Sequence, residues 1–147
     1  MPSQDLLRDI VPAGAMGLTI TQLSDERVEL HAPLAPNVND KGTAFGGSIS
    51  SALLLAGWSL IAERLRGLGI SAEVYIHKMD LEFLKPITSA FSSHAKLSDE
   101  GLWARFLQTL AERGRARIEI TAESFADGVC AARTHARYVA ILKEAMP

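Results

Sequence analysis

The sequence predicts an α+β fold in which one curved antiparallel sheet wraps around a single long central helix. Three observations carry that prediction. Residues 46–66 contain ALLLAGWSLIA at 52–62, which is apolar nearly all round, and a helix without a polar face has to be enclosed on most sides. Extended runs follow it instead of strict strand–helix alternation, which argues against a doubly wound parallel sheet. Those runs reach ten residues or more, a length that suits a sheet curling along a helix about 30 Å long.

Each element has its own signal. Ser3 can cap a short helix running to about Ile10, which Pro12 and Gly14 end. Residues 18–23 and 27–32 read as two strands joined by a tight turn at Ser24-Asp25-Glu26. In the second strand Val28, Leu30 and Ala32 alternate with Arg27, Glu29 and His31, the pattern of one buried and one wet face. The helix at 46–66 turns charged only at Glu63, Arg64 and Arg66, and Gly67 and Gly69 stop it. Residues 73–84 are β-rich and end at Lys85-Pro86, and 90–97 form another alternating run. Leu102, Phe106, Leu107 and Leu110 are spaced for a short amphipathic helix over 99–112, closed by Gly114. From 115 to 126, Arg115, Arg117, Glu119, Thr121 and Glu123 alternate with Ala116, Ile118, Ile120 and Ala122. The last strand, about 129–142, puts Cys130, Ala132, Thr134, Ala136 and Ala140 on one face, where small side chains let a helix approach closely.

The bulk numbers set limits. A chain of 147 residues fits one domain spanning 1–147, with a core that needs no disulfide. Its 48% hydrophobic and 22% charged residues are ordinary for a soluble protein, and a net charge of -2 gives no footprint for nucleic acid. The longest apolar run falls well short of the roughly 20 residues that span a bilayer. The N-terminus lacks a basic stretch followed by an apolar one, so no secretory signal is expected. Cys130 is the single cysteine, and His31, His77, His94 and His135 show no metal-ligand spacing. The expectation is a cytoplasmic protein without metal, membrane or nucleic-acid partner.

The segment NVNDKGTAFGGSIS at 37–50 passes directly into the apolar helix. Read alone, an Asn/Asp/Gly-rich run is a connector. Its end is less ordinary, because Gly46 and Gly47 start a helix whose first N–H groups have no internal partner and carry no side chain to block an incoming anion. Ser48, Ser50 and Ser51 lack a GxSxG elbow and read as caps or packing residues.

The pattern Asn39-x-x-Gly42-Thr43-x-Phe45-Gly46-Gly47 before a long buried helix, within APLAPNVNDKGTAFGGSISSALLLAGW at 32–58, resembles the hotdog-fold acyl-thioester enzymes. In particular, this stretch is similar to the thioesterase-like domain found at the C-terminus of certain bacterial acetyltransferase-like proteins. The likeness runs from about residue 6 to 142 and includes Lys85-Pro86-Ile87 and Arg113-Gly114-Arg115-Ala116-Arg117. It implies a homodimer or dimer of dimers with sheets continuing across the interface. It also implies a tunnel between the helix start of one subunit and residues of the other. The substrate would be a thioester of acyl carrier protein or coenzyme A, supplying its own phosphopantetheine, with no further cofactor. Carried onto this chain, the catalytic candidates are Asn39, Asp40, Gly46 and Gly47. The substrate-binding candidates are Phe45, Ser48, Leu54, Trp58, Lys85, Arg115 and Arg117. Many hotdog thioesterases carry a histidine where this chain has Phe45 and a carboxylate where it has Leu54. A pocket with oxyanion donors and no obvious base suits decarboxylation of a malonyl thioester, as some members of the resembled family are associated with. Asp40 keeps hydrolysis open, and a non-catalytic acyl-thioester binder is the third reading.

Overall fold

The structure is a computed structural model and describes residues 5–143; Ser3, the expected cap of the first helix, lies outside them. The elements follow in the order α1 (Asp5–Arg8), α2 (Val11–Ala15), β1 (Thr19–Leu23), β2 (Arg27–Ala32), a 3-10 turn (Ala35–Asn37), α3 (Gly46–Gly67), β3 (Ala72–Phe83), β4 (Phe91–Leu97), α4 (Glu100–Arg113), β5 (Arg115–Ala126) and β6 (Val129–Leu142). The first stretch departs from expectation, because Pro12 and Gly14 lie inside α2 rather than ending a helix. Proline is tolerated in a first helical turn, where its missing N–H would have had no partner.

The six strands form one antiparallel sheet in the order β1-β2-β4-β5-β6-β3. It curves around α3, which is the hotdog architecture. Leu53, Ala56, Leu60 and Ile61 of α3 are wholly buried against Val28, Leu30, Phe91, Ala95, Ile118, Ile120 and Ala136 from four strands. Alternation in β5 falls as expected, with Ala116, Ile118, Ile120 and Ala122 buried. Ser93 and Ser124, cross-strand partners on the buried side, satisfy one another at 2.7 Å. No helix of the described residues is long and apolar enough to cross a membrane.

β4, at seven residues, is shorter than β5, at twelve. Its register with β5 stops at Leu97 opposite Ile120, so residues 115–119 run on without a β4 partner. The chain between them becomes α4, which packs on β5. Asp99 caps α4 by accepting from the Gly101 N–H at 2.8 Å, and Gly114 closes it in the left-handed conformation. Trp103, Phe106 and Leu110 are its buried stripe. The Arg64 guanidinium lies 4.5 Å from the Trp103 ring and pairs with Glu100 at 2.8 Å, joining α4 to the C-terminal end of α3.

One large residue interrupts the small ones of β6. Tyr138 faces α3 between Ala136 and Ala140 and is 1% exposed. Its hydroxyl donates to the Leu54 carbonyl at 2.7 Å. Burial holds this phenol far above its ordinary range, so it is a neutral donor. Gly57 makes the room: a Cβ there would lie 2.3 Å from the Tyr138 Oη and 2.8 Å from Cζ. The expected outcome of Gly57→Ala is a loss of roughly 2–4 kcal/mol, from overpacking and a broken buried hydrogen bond. Adding Tyr138→Phe should give a double variant less destabilised than the two single losses added together. Urea unfolding of all three proteins measures this.

Candidate active site at the start of the central helix

The loop before α3 is held at both ends by backbone and amide bonds. Asn37, 2% exposed, donates through Nδ2 to the Met16 carbonyl at 2.8 Å and the Pro33 carbonyl at 2.7 Å. Its own carbonyl accepts from the Phe45 N–H at 2.7 Å, and the Ala44 N–H donates to the Ile87 carbonyl at 2.8 Å. Between these anchors the chain winds around Asn39. The Asn39 Oδ1 accepts from the backbone N–H groups of Lys41 at 2.8 Å and Thr43 at 3.1 Å, and its Nδ2 donates to the Thr43 Oγ1 at 2.8 Å. Gly42 turns the loop at φ +80°, a conformation glycine adopts freely. Asn39 is therefore built into the loop as its brace, with one N–H of its amide uncommitted among the described residues. Asp40 points the other way: its side chain is 82% exposed and meets Lys41 at 3.0 Å.

At the helix start the Phe45 carbonyl accepts from the N–H groups of Ser48 and Ile49 at 2.9 and 3.1 Å. Phe45 supplies no side-chain cap. The Gly46 and Gly47 N–H groups find no acceptor among the described residues. Two exposed rings flank them. Phe45 lies so close over Gly47 that a Cβ there would be 2.4 Å from its ring, and Phe83 comes within 3.8 Å of the corresponding point at Gly46. Ser50 and Ser51 turn their hydroxyls back to the Gly47 carbonyl, at 3.0 and 2.7 Å, while Ser48 is buried. Ser50 and Ser51 thus bond to the backbone of the helix itself.

Behind the helix start, Leu54 and Trp58 continue one half-buried stripe of α3, and the Trp58 indole N–H donates to the Val74 carbonyl of β3 at 3.0 Å. Lys85 belongs to the same end of the molecule, because its turn bonds to Ala131 and leads to Ile87, which holds Ala44. Arg115 and Arg117 do not join this group within one chain. They project from the face of β5 turned away from α3. Arg115 stands opposite Ile141, whereas Phe83 stands opposite Ala132, an offset of roughly 30 Å along β6 at strand rise.

The other titratable candidates lie elsewhere. His94 contacts Arg27 and Ser92, and His135 contacts Glu119; no histidine bonds to the loop or to α3. Burial, then the Glu123 carboxylate, push the Cys130 thiol up, so it is a poor nucleophile. No metal-holding cluster occurs among the described residues. Sequence reasoning missed Phe83, Asn37 and Tyr138. Phe83 carried a signal, being a large apolar residue at the end of a strand just before Lys85-Pro86.

The match to a family model described as "Putative thioesterase (yiiD_Cterm)" spans residues 3–142, and the chain belongs to that family. The fold recurs in a crystal structure from Chlorobaculum tepidum TLS of a protein of unknown function, at TM-score 0.91 and 24% identity, covering 97% of this chain and 93% of that one. It recurs in the crystal structure of a protein from Shewanella oneidensis described as a "putative thioesterase", at TM-score 0.82 and 26% identity, covering 95% and 94%. A Pseudomonas aeruginosa protein titled as a probable thioesterase superposes at TM-score 0.83 and 21% identity, covering 97% and 95%.

Because three side-chain bonds of the loop converge on Asn39, Asn39→Ala is expected to lower stability by roughly 1–3 kcal/mol. Amide exchange at Lys41 and Thr43 should speed up with it. Asp40→Asn should stay within about 0.5 kcal/mol of the parent, as an exposed substitution does. Denaturant titration with hydrogen exchange checks both.

Proposed function

We propose that this protein acts on an acyl thioester carried by phosphopantetheine, with decarboxylation of a malonyl thioester as its reaction. The observation that supports it best is the pair of unpartnered N–H groups at Gly46 and Gly47, set between the rings of Phe45 and Phe83. A thioester oxygen placed there accepts from both donors. The bond from the central malonyl carbon to its carboxylate then breaks, and carbon dioxide leaves. The electron pair passes to the thioester oxygen as an enolate, which takes a proton from solvent to give the acetyl thioester. Each donor aimed at that oxygen contributes roughly 3 kcal/mol. Apolar rings beside the departing carboxylate favour its loss as a neutral molecule, since a buried charge without a partner is costly. No base is needed, and Phe45 and Leu54 supply none. Asn39 acts in this reading as a positioning residue that fixes the loop, and no cofactor is required beyond the pantetheine the substrate carries.

The second reading is hydrolysis, favoured by the thioesterase description of the family. It needs a group to activate water, and the loop's carboxylate, Asp40, faces solvent in this chain.

The working unit of the proposal is a homodimer joined through β3. This strand is an edge of the sheet and exposes Tyr75 at 53%, Ile76 at 38% and Phe83 at 54%. An unpaired edge of twelve residues with three exposed apolar side chains among its charged ones is a template for a second strand. Pairing with a copy about a two-fold axis would also cover the Leu54–Trp58 stripe.

Two experiments test these points. Malonyl and simple acyl thioesters, on carrier protein and on coenzyme A, are incubated with the protein while carbon dioxide and free thiol are assayed separately. Carbon dioxide is expected, with Gly47→Val slower by roughly 10²–10³ in a folded protein and Asp40→Asn mildly affected. Free thiol alone, abolished by Asp40→Asn, would make the protein a hydrolase. Light scattering should give twice the chain mass, and Tyr75→Glu with Ile76→Glu should yield an inactive monomer; an active monomer would end the dimer model.

A further inference from the structure

Arginines in this chain divide into two groups. Six of them, Arg8, Arg27, Arg64, Arg66, Arg133 and Arg137, sit within 3.8 Å of a carboxylate. The remaining four, Arg105, Arg113, Arg115 and Arg117, are exposed and have no carboxylate partner among the described residues. All four fall at one corner, on α4 and the first turn of sheet that follows it. The acids beside them are already engaged. Glu119 bonds to His135 and Arg137, and Glu112 accepts from Gln108. With Arg137, the corner holds five arginines against two glutamates on a chain whose net charge is -2.

The same corner contains a cleft of about 450 Å³, where β5 runs past the end of β4 and α4 stands beside it. Leu102, Phe106 and Thr109 line it on the helix side, with Arg105, Arg117 and the Arg137–Glu119 pair at its margin. A largely apolar cleft bordered by the free guanidinium groups of Arg105 and Arg117 is complementary to an amphipathic helix carrying acidic residues around one apolar side chain. The spread of charge argues against a single phosphate as occupant: Arg105 and Arg113 alone are eight residues apart on α4, roughly 12 Å at helical rise.

We propose that this α4–β5 corner is the docking surface for an acidic carrier protein that delivers the thioester. The inference rests on the reading of the site given under Proposed function. β3-to-β3 pairing turns the second copy end for end. Its arginine corner then comes to the sheet end that holds this chain's Gly46 and Gly47. β5 of the copy lies three strand spacings from β3 of this chain, roughly 15 Å, so a carrier docked on one subunit presents its arm to the helix start of the other.

The test uses a fluorescently labelled bacterial acyl carrier protein lacking its pantetheine arm, titrated with the protein at low and physiological ionic strength. Binding is expected to weaken with salt and to weaken about tenfold or more in Arg105→Gln with Arg113→Gln. In turnover, that double variant should raise KM about tenfold for the carrier-bound thioester and leave kcat and the coenzyme A thioester unchanged. Failure of the parent protein to bind the arm-less carrier, or equal binding by parent and variant, overturns the proposal. An equal rise in KM on both carriers also overturns it, assigning the arginines to a phosphate instead. Binding is read without turnover. Arginine-dependent binding by a protein that converts no thioester would therefore defeat the catalytic reading and leave the docking surface standing.

Discussion

Enclosing α3 is the constraint from which the rest of the structure follows. A helix with no polar face between Ala52 and Ala62 cannot rest on a flat sheet, because half of it would stay in water. The sheet has to curl, and the strands after the helix have to be long enough to follow it. Small side chains at Ala132, Ala136 and Ala140 bring β6 close to the helix. Even so, six strands leave the stripe of Gly47, Ser51, Leu54 and Trp58 only half covered. That incomplete enclosure puts the open N–H groups, the exposed rings and the free edge of β3 along one side of the molecule.

The loop before α3 is stiff for reasons of hydrogen bonding. Asn37 and Asn39 place their amides where backbone groups would otherwise be unsatisfied, so both ends of the turn are fixed without a hydrophobic anchor. Stiffness here has a chemical value. Donors that already point at the place where negative charge develops need no reorganisation as the reaction proceeds. The two glycines contribute their backbone and their lack of side chains; everything around them contributes position.

Much of this architecture was legible because periodicity changes sharply along the chain. Alternation in β2 and β5 and the unbroken apolar run of α3 gave element type and facing directly. The α4 stripe was legible at Phe106 and Leu110, with Gly114 as its stop, but Trp103 is buried with them where Leu102 and Leu107 were expected. Three things were not legible. Tyr138 hid among alanines, since nothing local marks a large residue whose space is supplied by a glycine eighty-one positions earlier. Pro12 looked like a terminator, although it stands where a first helical turn accepts it. The candidate site was legible as a segment and not as an arrangement. Motif spacing grouped Asn39 with Asp40, yet neighbouring residues in an extended loop face opposite ways, and one braces the turn while the other meets solvent. Arg115 and Arg117 were grouped with the site by resemblance; within one chain, strand register sets them at the opposite end of the sheet.

The bond from Tyr138 to the Leu54 carbonyl also works as a gauge. It fixes the axial position and rotation of α3 at a point eight residues after Gly46, roughly 12 Å along the helix. Between that point and the helix start, the helix is a rigid spacer whose length is counted in residues. Side chains along it can change size at moderate cost, but the count cannot. One residue inserted or removed between Gly47 and Leu54 would rotate the helix start by roughly 100° and shift it by about 1.5 Å, carrying both glycine N–H groups away from Phe83 and the loop. Divergence in this stretch is thus confined to substitution, and insertions have to settle in the turns at the other ends of the strands.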